Sequence, residues 1–460
     1  MKNHLWLSAS VILVLVCIDA VGWGAVHPVA SQAQGVQTEN VAPPVSHLAP
    51  PESHLPPPPE EYKLPPQKRA EAVAYSHINY ALYFAGVALA LLVYFLMWRG
   101  KIAAAYRNWA RRLSRRHFLQ CLVFAPLFFV TVKLLEFPFD YYAGYVVERR
   151  FGLSSQSFLS WAADWGKSLA LLVLVGALMV WLFYAVVRRS PRRWWLYFWL
   201  VTIPVTLLLM FIEPYVVEPL FFKFTPLQAA HPVLVARIEK MLDRAGLDIP
   251  RSRILEMNAS SKTKTINAYV SGLGASKRVV VWDNTLNKLT DDETLLVLGH
   301  ETGHYVLHHI IKEFVLIELI ALGLIALGFR AIKHLIGRFG GRDGIEGEGD
   351  LASLPAMLMV LTALSFFASP AVNAVSRHYE HQADQFALEV TYGVVPDPNA
   401  AEARAFQILG EQDLADPDPN PFIVFWLYSH PPLDQRIRFA VSYRPWAEGK
   451  PLEFVHPPSD

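Results

Sequence analysis

The residues best suited to chemistry in this chain are HETGH, 300–304, two histidines four apart with a glutamate directly after the first. On a helix, His300 and His304 lie one turn apart on one face, so both imidazoles can converge on a single Zn²⁺. Glu301 then projects beside the ion as a general base for a water. Taken alone, the motif leaves a second reading open: an amphipathic helix with surface histidines and a charged face. The helical periodicity of DDETLLVLGHETGHYVLHH, with Thr290 and Asp291 as N-cap candidates, favours the metal.

Zinc needs a third protein ligand. A metzincin would continue with glycine and then histidine at positions that here are Leu307 and Ile310, so that class is excluded. His308 lies a further turn along the helix, too far to share the ion with His300 and His304. The segment SRHYEHQADQFALEV sets Glu380 and Asp384 one turn apart. Glu380 can complete a His₂Glu site with the fourth position left for water. Asp384 is placed to accept the outer N–H of a ligating imidazole, fixing its tautomer. A solvated acidic helix face is the alternative for this pair.

The elements that must position these groups are apolar. Of 460 residues, 53% are hydrophobic and 18% charged, too apolar for a soluble globular protein. A net charge of +1 argues against nucleic acid as a partner. Cys17 and Cys121 sit in apolar runs without metal-ligand spacing, so no disulfide framework is expected. Residues 1–35 read as a secretory signal, with Lys2, an apolar core from Leu5 to Ile18 and small residues after it; an uncleaved first transmembrane helix is the alternative. A Pro-rich linker, 36–75, should be extended and solvated.

Runs at 77–97, 118–138, 168–187 and 194–213 each approach the roughly 20 residues that cross a hydrocarbon core. They define an N-terminal membrane domain, 76–213, with four spans. The remainder, 214–460, reads as a metallopeptidase domain with two further spans, 314–329 and 354–375. The first of these continues the helical pattern of HETGH, and the second returns the chain to the same face shortly before Glu380. The zinc therefore belongs close to the bilayer. Basic clusters follow the first, third and fifth spans: Arg99 to Arg116, Arg188 to Arg193, and Arg330 to Arg342. A six-span zigzag puts all three on one face, which the positive-inside rule makes cytoplasmic. The catalytic region then faces the non-cytoplasmic side, of the plasma (inner) membrane in a bacterium. Lys133, Glu136 and Glu318 interrupt apolar runs and should face an internal ion pair or a polar chamber.

These residues resemble the integral-membrane zinc endopeptidases of the CAAX prenyl protease type 1 family. LGHETGHYVLHH is similar to its HExxH helix, and SRHYEHQAD to its third-ligand helix. NAYVSGLGASKRVVVWDNTL (267–286), the segment 138–167 and YSHPPLDQRIRF (428–439) resemble, in order, the stretch before the HExxH helix, a loop between membrane spans and a C-terminal motif near the active site. The likeness covers about residues 60 to 445. It implies a multi-pass α-helical bundle around a chamber, a zincin-like domain and zinc-dependent peptide cleavage. His300, His304 and Glu380 are then the ligands of one zinc per chain, and Glu301 is the base. The resemblance also implies that His430 helps stabilise the tetrahedral intermediate, with Arg436 nearby and Asp384 behind the ligands. The 267–286 segment reads as two strands around GLGASK. Asn267 and Ala268 on an edge strand could pair with an extended substrate, an ordinary hairpin being the alternative.

Three departures from the family stand out: the N-terminal extension, the non-cytoplasmic orientation, and Thr302 in place of an apolar residue. The first two leave the protease chemistry intact and open the question of whether the substrate is prenylated. The reading is a multi-pass membrane metalloendopeptidase acting on peptides or membrane-associated proteins. Quality control of damaged membrane proteins is a narrower form of it. A scaffold or transporter with a structural metal is the competing class; an open coordination position and an intact Glu301 speak against it.

Overall fold

Lipid offers a backbone no hydrogen-bond partner, so each long apolar run must pair its N–H and C=O groups within itself. The computed structural model describes residues 57–272 and 276–455; the expected signal or first span, 1–35, lies outside them. The N-terminal half consists of α1 (Pro66–Arg99), α2 (Ile102–Leu113), α3 (His117–Tyr141), α4 (Phe158–Arg189) and α5 (Trp194–Ile212). The second half carries α6 (Pro232–Arg244), α7 (Asp283–Lys288), α8 (Asp291–Val306), α9 (His309–Asp343), α10 (Leu354–Thr391), α11 (Pro398–Gln412), α12 (Pro421–Leu427) and α13 (Leu433–Ser442). A small mixed sheet, order β1-β2-β4-β3, joins Phe224–Pro226 (β1), Ile254–Met257 (β2), Ala268–Ser271 (β3) and Arg278–Trp282 (β4). In it β2 and β4 are parallel, and the two outer pairs are antiparallel.

Among the described residues, five helices are long and apolar enough to cross a membrane: Pro66–Arg99, His117–Arg150, Phe158–Arg189, Trp194–Phe221 and Leu351–Thr391. The sequence led us to expect six. The run at 314–329 falls within α9, which is not among the five, although α9 leads from His309 beside His304 to Asp343 beside Arg99 at the other end of the bundle. Glu313 and Glu318 break its apolar face, and both are buried against neighbouring elements.

Two expectations are corrected. The segment 138–167 is mostly helix: α3 continues through π-helical turns at Tyr142–Val147 to Arg150, and only 151–157 is non-helical. Aromatic packing extends the helix. Tyr141, Tyr145, Phe158 and Trp161 lie with all their ring centroids 5.6–6.2 Å apart, which ties the end of α3 to the start of α4. Of the Pro-rich linker, 36–75, the described residues 57–65 lie outside helix and strand, residues 66–75 already belong to α1, and the segment is not wholly solvated. Tyr62 is buried against Leu409 and Leu433, and a Cβ at Gly410 would collide with its ring.

The membrane half packs around Phe124, Phe128, Phe129, Phe183, Tyr184 and Phe198. The extramembrane core joins the sheet residues Val279 and Val281 to Leu295 and Leu298 of α8 and Phe386 and Leu388 of α10. At one end of the bundle the segments bearing the three basic clusters meet. Arg99 pairs with Asp343 at 2.7 Å and Arg111 with Glu346 at 2.6 Å, Arg107 pairs with Asp350, and Trp194 donates to Glu348 at 2.8 Å.

Candidate active site

The helix α8 starts where the sequence says it should. Thr290 caps it, accepting from the Glu293 N–H at 3.3 Å while Glu293 accepts from the Thr290 N–H at 2.8 Å, a reciprocal capping box. Its end differs from expectation. The helix stops at Val306, His308 adopts a left-handed conformation (φ 58°), and α9 begins afresh at His309. HETGH therefore does not run unbroken into the next apolar segment. His308 is exposed and takes no part in the site, as its position predicted.

What brings α8 onto α10 is the absence of side chains. A Cβ at Gly299 would lie 3.2 Å from the Ala387 Cα, and one at Gly303 3.0 Å from the Phe386 Cβ. This close approach carries His300 and His304 to Glu380. The three offer ligand atoms that all lie within 4.8 Å of one another. The two Nε2 atoms are 3.1 Å apart, and Glu380 oxygens lie 3.2 Å from His300 Nε2 and 3.5 Å from His304 Nε2. Two ligand atoms at about 2.05 Å from a tetrahedral zinc are separated by roughly 3.3 Å. The triangle has the dimensions of one face of such a site, and its donor set, two imidazoles and a carboxylate, is zinc chemistry.

The surroundings favour a cation there. Burial works against a charged His300, but hydrogen bonds and charge from Asp384 and Glu380 overcome it and raise this imidazole to about 10. Asp384 Oδ1 sits 2.8 Å from His300 Nδ1, so the outer nitrogen has the carboxylate partner expected of it. Arg436 holds Asp384 in turn, with Nε 2.9 Å from Oδ2, and its guanidinium lies 4.1 Å over the Phe406 ring. Glu301 follows His300 and is only half-buried, yet loss of hydration still pushes its carboxyl above the ordinary glutamate value.

His430 comes from the turn before α13. Its Nε2 is 3.0 Å from Glu380, Ser429 Oγ meets its Nδ1 at 2.9 Å, and burial lowers its pKa. Asn267, His300, Glu301, His430 and Arg436 line one small cavity. Ala268 begins β3, an edge strand as expected, and both residues are buried. One detail differs from a free edge: the Ala268 N–H is already met at 2.8 Å by the Asn267 carboxamide oxygen. All nine residues singled out in the sequence thus lie in or beside one site.

Sequence reasoning missed three residues. His309 turns back so that its Nδ1 lies 3.2 Å from His304 Nδ1, while its Nε2 lies 3.1 Å from Gln382 Oε1. Burial pushes His309 down to about 4. No pattern signals this contact, because it depends on the left-handed residue between the two helices. Glu402 of α11 is buried in the same cavity; among the described residues nothing hydrogen-bonds its carboxyl, and burial drives its pKa well up.

Fold and site together define a membrane-embedded metallopeptidase. The family model for peptidase family M48 matches residues 228–444, and that for the CAAX prenyl protease N-terminal region, five membrane helices, matches 48–223. The chain is 34% identical over 371 residues to an uncharacterised metalloprotease, YhfN, of Bacillus subtilis, covering 81% of this chain and 85% of that one. It is 29% identical to CAAX prenyl protease 1 of Saccharomyces cerevisiae, over 69% of this chain and 71% of the other. The crystal structure of S. mikatae Ste24p superposes with a TM-score of 0.72 at 24% identity, covering 95% of this chain and 99% of that one. The protein belongs to peptidase family M48, in the CAAX prenyl protease type 1 family of multi-pass membrane metallopeptidases.

Proposed function

We propose that this protein is a zinc-dependent endopeptidase that cuts extended peptide segments of peptide or membrane-associated protein substrates beside the bilayer. The observation that carries the reading is the His300–His304–Glu380 triangle with Glu301 on the same helix turn. A zinc ion held by the three side chains supplies Lewis-acid polarisation of the scissile carbonyl and acidifies a water. Glu301 accepts the proton of the attacking water and delivers it to the leaving amine; its raised pKa brings it nearer to the range where a base works well. His430 Nε2 faces the same point and donates to the oxyanion as it develops. Asp384 and Arg436 keep His300 oriented. The edge of β3 at Asn267 and Ala268 aligns the substrate backbone, and the Asn267 carboxamide swings away from the Ala268 N–H to release a donor.

We place the catalytic region on the non-cytoplasmic side of a plasma (inner) membrane. In support, the three basic clusters share one end of the bundle, where Arg99, Arg107 and Arg111 find their partners. Glu380 lies 26 residues beyond the first residue of α10, which starts at that end, hence about 40 Å along the helix axis. That exceeds a hydrocarbon core of about 30 Å. Because prenyl-protein processing is cytosolic, this orientation favours substrates without a prenyl group.

The test uses full-length protein in detergent and two quenched peptides that differ only in a C-terminal farnesylcysteine. Chelation should abolish cleavage of the unprenylated peptide and zinc should restore it. Cleavage that ignores chelation, or that requires the farnesyl group, would overturn the corresponding part. A fluorescent C-terminal fusion that matures only in the cytoplasm should stay dark; fluorescence would reverse the assigned side.

A further inference from the structure

The two zinc-binding histidines are oriented by different means, and only one of the two follows from the sequence motifs. A histidine that ligates through Nε2 must carry its proton on Nδ1, and the group that accepts this proton fixes both tautomer and ring orientation. For His300 the acceptor is a carboxylate, Asp384 Oδ1 at 2.8 Å. For His304, Nδ1 faces another imidazole nitrogen, His309 Nδ1 at 3.2 Å. Nitrogen facing nitrogen leaves the direction of that hydrogen bond open until something decides where His309 keeps its own proton.

Gln382 decides it. Its carboxamide oxygen lies 3.1 Å from His309 Nε2, and an oxygen can only accept, so Nε2 carries the proton. Neutral His309 then has a bare Nδ1, which accepts from His304 Nδ1–H. The His304 proton is thereby kept off Nε2, the atom that lies 3.1 Å from His300 Nε2 and 3.5 Å from Glu380. The reverse order fails. A donor at position 382 would leave the His309 proton on Nδ1 and drive the His304 proton onto Nε2, where it blocks a metal.

The fold holds the chain of groups in place. His309 is fully buried and its ring stacks on Tyr379, with centroids 4.5 Å apart and planes 15° from parallel. The left-handed His308 lets α9 start in a direction that returns His309 toward the end of α8. Gln382 and Tyr379 flank Glu380 on α10, so one short stretch supplies the third ligand and both supports of this relay.

We infer that the His304–His309–Gln382 hydrogen-bond chain is a positioning relay that sets His304 in its metal-binding tautomer, the counterpart of Asp384 behind His300. The inference rests on the reading of His300, His304 and Glu380 as zinc ligands. His309 and Gln382 are positioning residues and touch neither substrate nor metal.

The test is zinc affinity, not activity. Full-length protein in detergent is stripped of metal and titrated with Zn²⁺ against a chromophoric chelator of known affinity. His309→Phe keeps the ring that stacks on Tyr379 and removes the acceptor; binding should weaken about 10–100-fold. Gln382→Met removes the acceptor oxygen without changing charge, at a half-buried position that tolerates substitution; it should weaken binding several-fold, and Gln382→Glu should restore it. In the His309→Phe background, Gln382→Met should have no further effect, because the relay is already cut. Wild-type affinity in Gln382→Met, or an undiminished effect of Gln382→Met in the double variant, would overturn the relay. Failure of the wild type itself to bind zinc would instead overturn the ligand assignment beneath it.

Discussion

Around Lys133 in the membrane half, a buried ammonium lies 3.0 Å from both Glu136 and Asp140, and Trp165 donates to Asp140 at 3.0 Å. Around His300 in the other half, an equally buried group of charges is arranged in the opposite sense. There Asp384 and Arg436 neutralise each other behind the histidine, while two imidazole nitrogens and a carboxylate point at a common centre. In the first cluster every carboxylate already has a cation beside it. The second concentrates lone pairs and raises the pKa of His300, so it gains by taking up a cation. Burial of charge is shared by the two regions; what separates structure from chemistry is where the lone pairs point.

Five substitutions can break or sharpen that contrast. The largest effect belongs to Glu301→Gln, which should lower kcat by about 10²–10⁴-fold while zinc content stays at one per chain. Lys133→Met should leave zinc content unchanged and reduce stability by about 3–5 kcal/mol, because two buried carboxylates lose their cation. Thermal unfolding in detergent reads it; a stable variant would show that the membrane cluster is not the closed ion pair described here. Next come matched glycines. Gly299→Ala presses on the Ala387 backbone and Gly176→Ala on the Phe129 ring, each costing about 1–3 kcal/mol. Only the former should also weaken zinc binding, since it moves α8 off α10; equal zinc affinities would refute the close-approach argument. The smallest effect is that of Thr290→Ala, about 1 kcal/mol from the lost helix cap, read as a lowered Tm.

Local chemistry was legible in the sequence, and three-dimensional return paths were not. HETGH, the Glu380–Asp384 pair and the Thr290 cap depend on spacing within single helices, and a spacing of four reads directly as one face. The two strands on either side of GLGASK were legible from the glycine-rich stretch between two β-prone runs, whereas the edge position of the Ala268 strand depends on the order of the whole sheet. The His309 contact was not legible, because it needs one residue at positive φ between two helices that both read as periodic. The extension of α3 to Arg150 escaped notice because it rests on four aromatic rings drawn from both sides of a turn. Tyr62 lay inside a Pro-rich segment whose composition says nothing of where one tyrosine docks.

The most direct test of the central claim pairs metal content with turnover in two proteins, wild type and Glu301→Gln, each purified in detergent. Zinc per chain is measured by elemental analysis, and cleavage of one quenched peptide is followed on the same samples. The account predicts one zinc in both and cleavage only in the wild type. Cleavage by Glu301→Gln at the wild-type rate, or a wild type that cleaves without zinc, would contradict it.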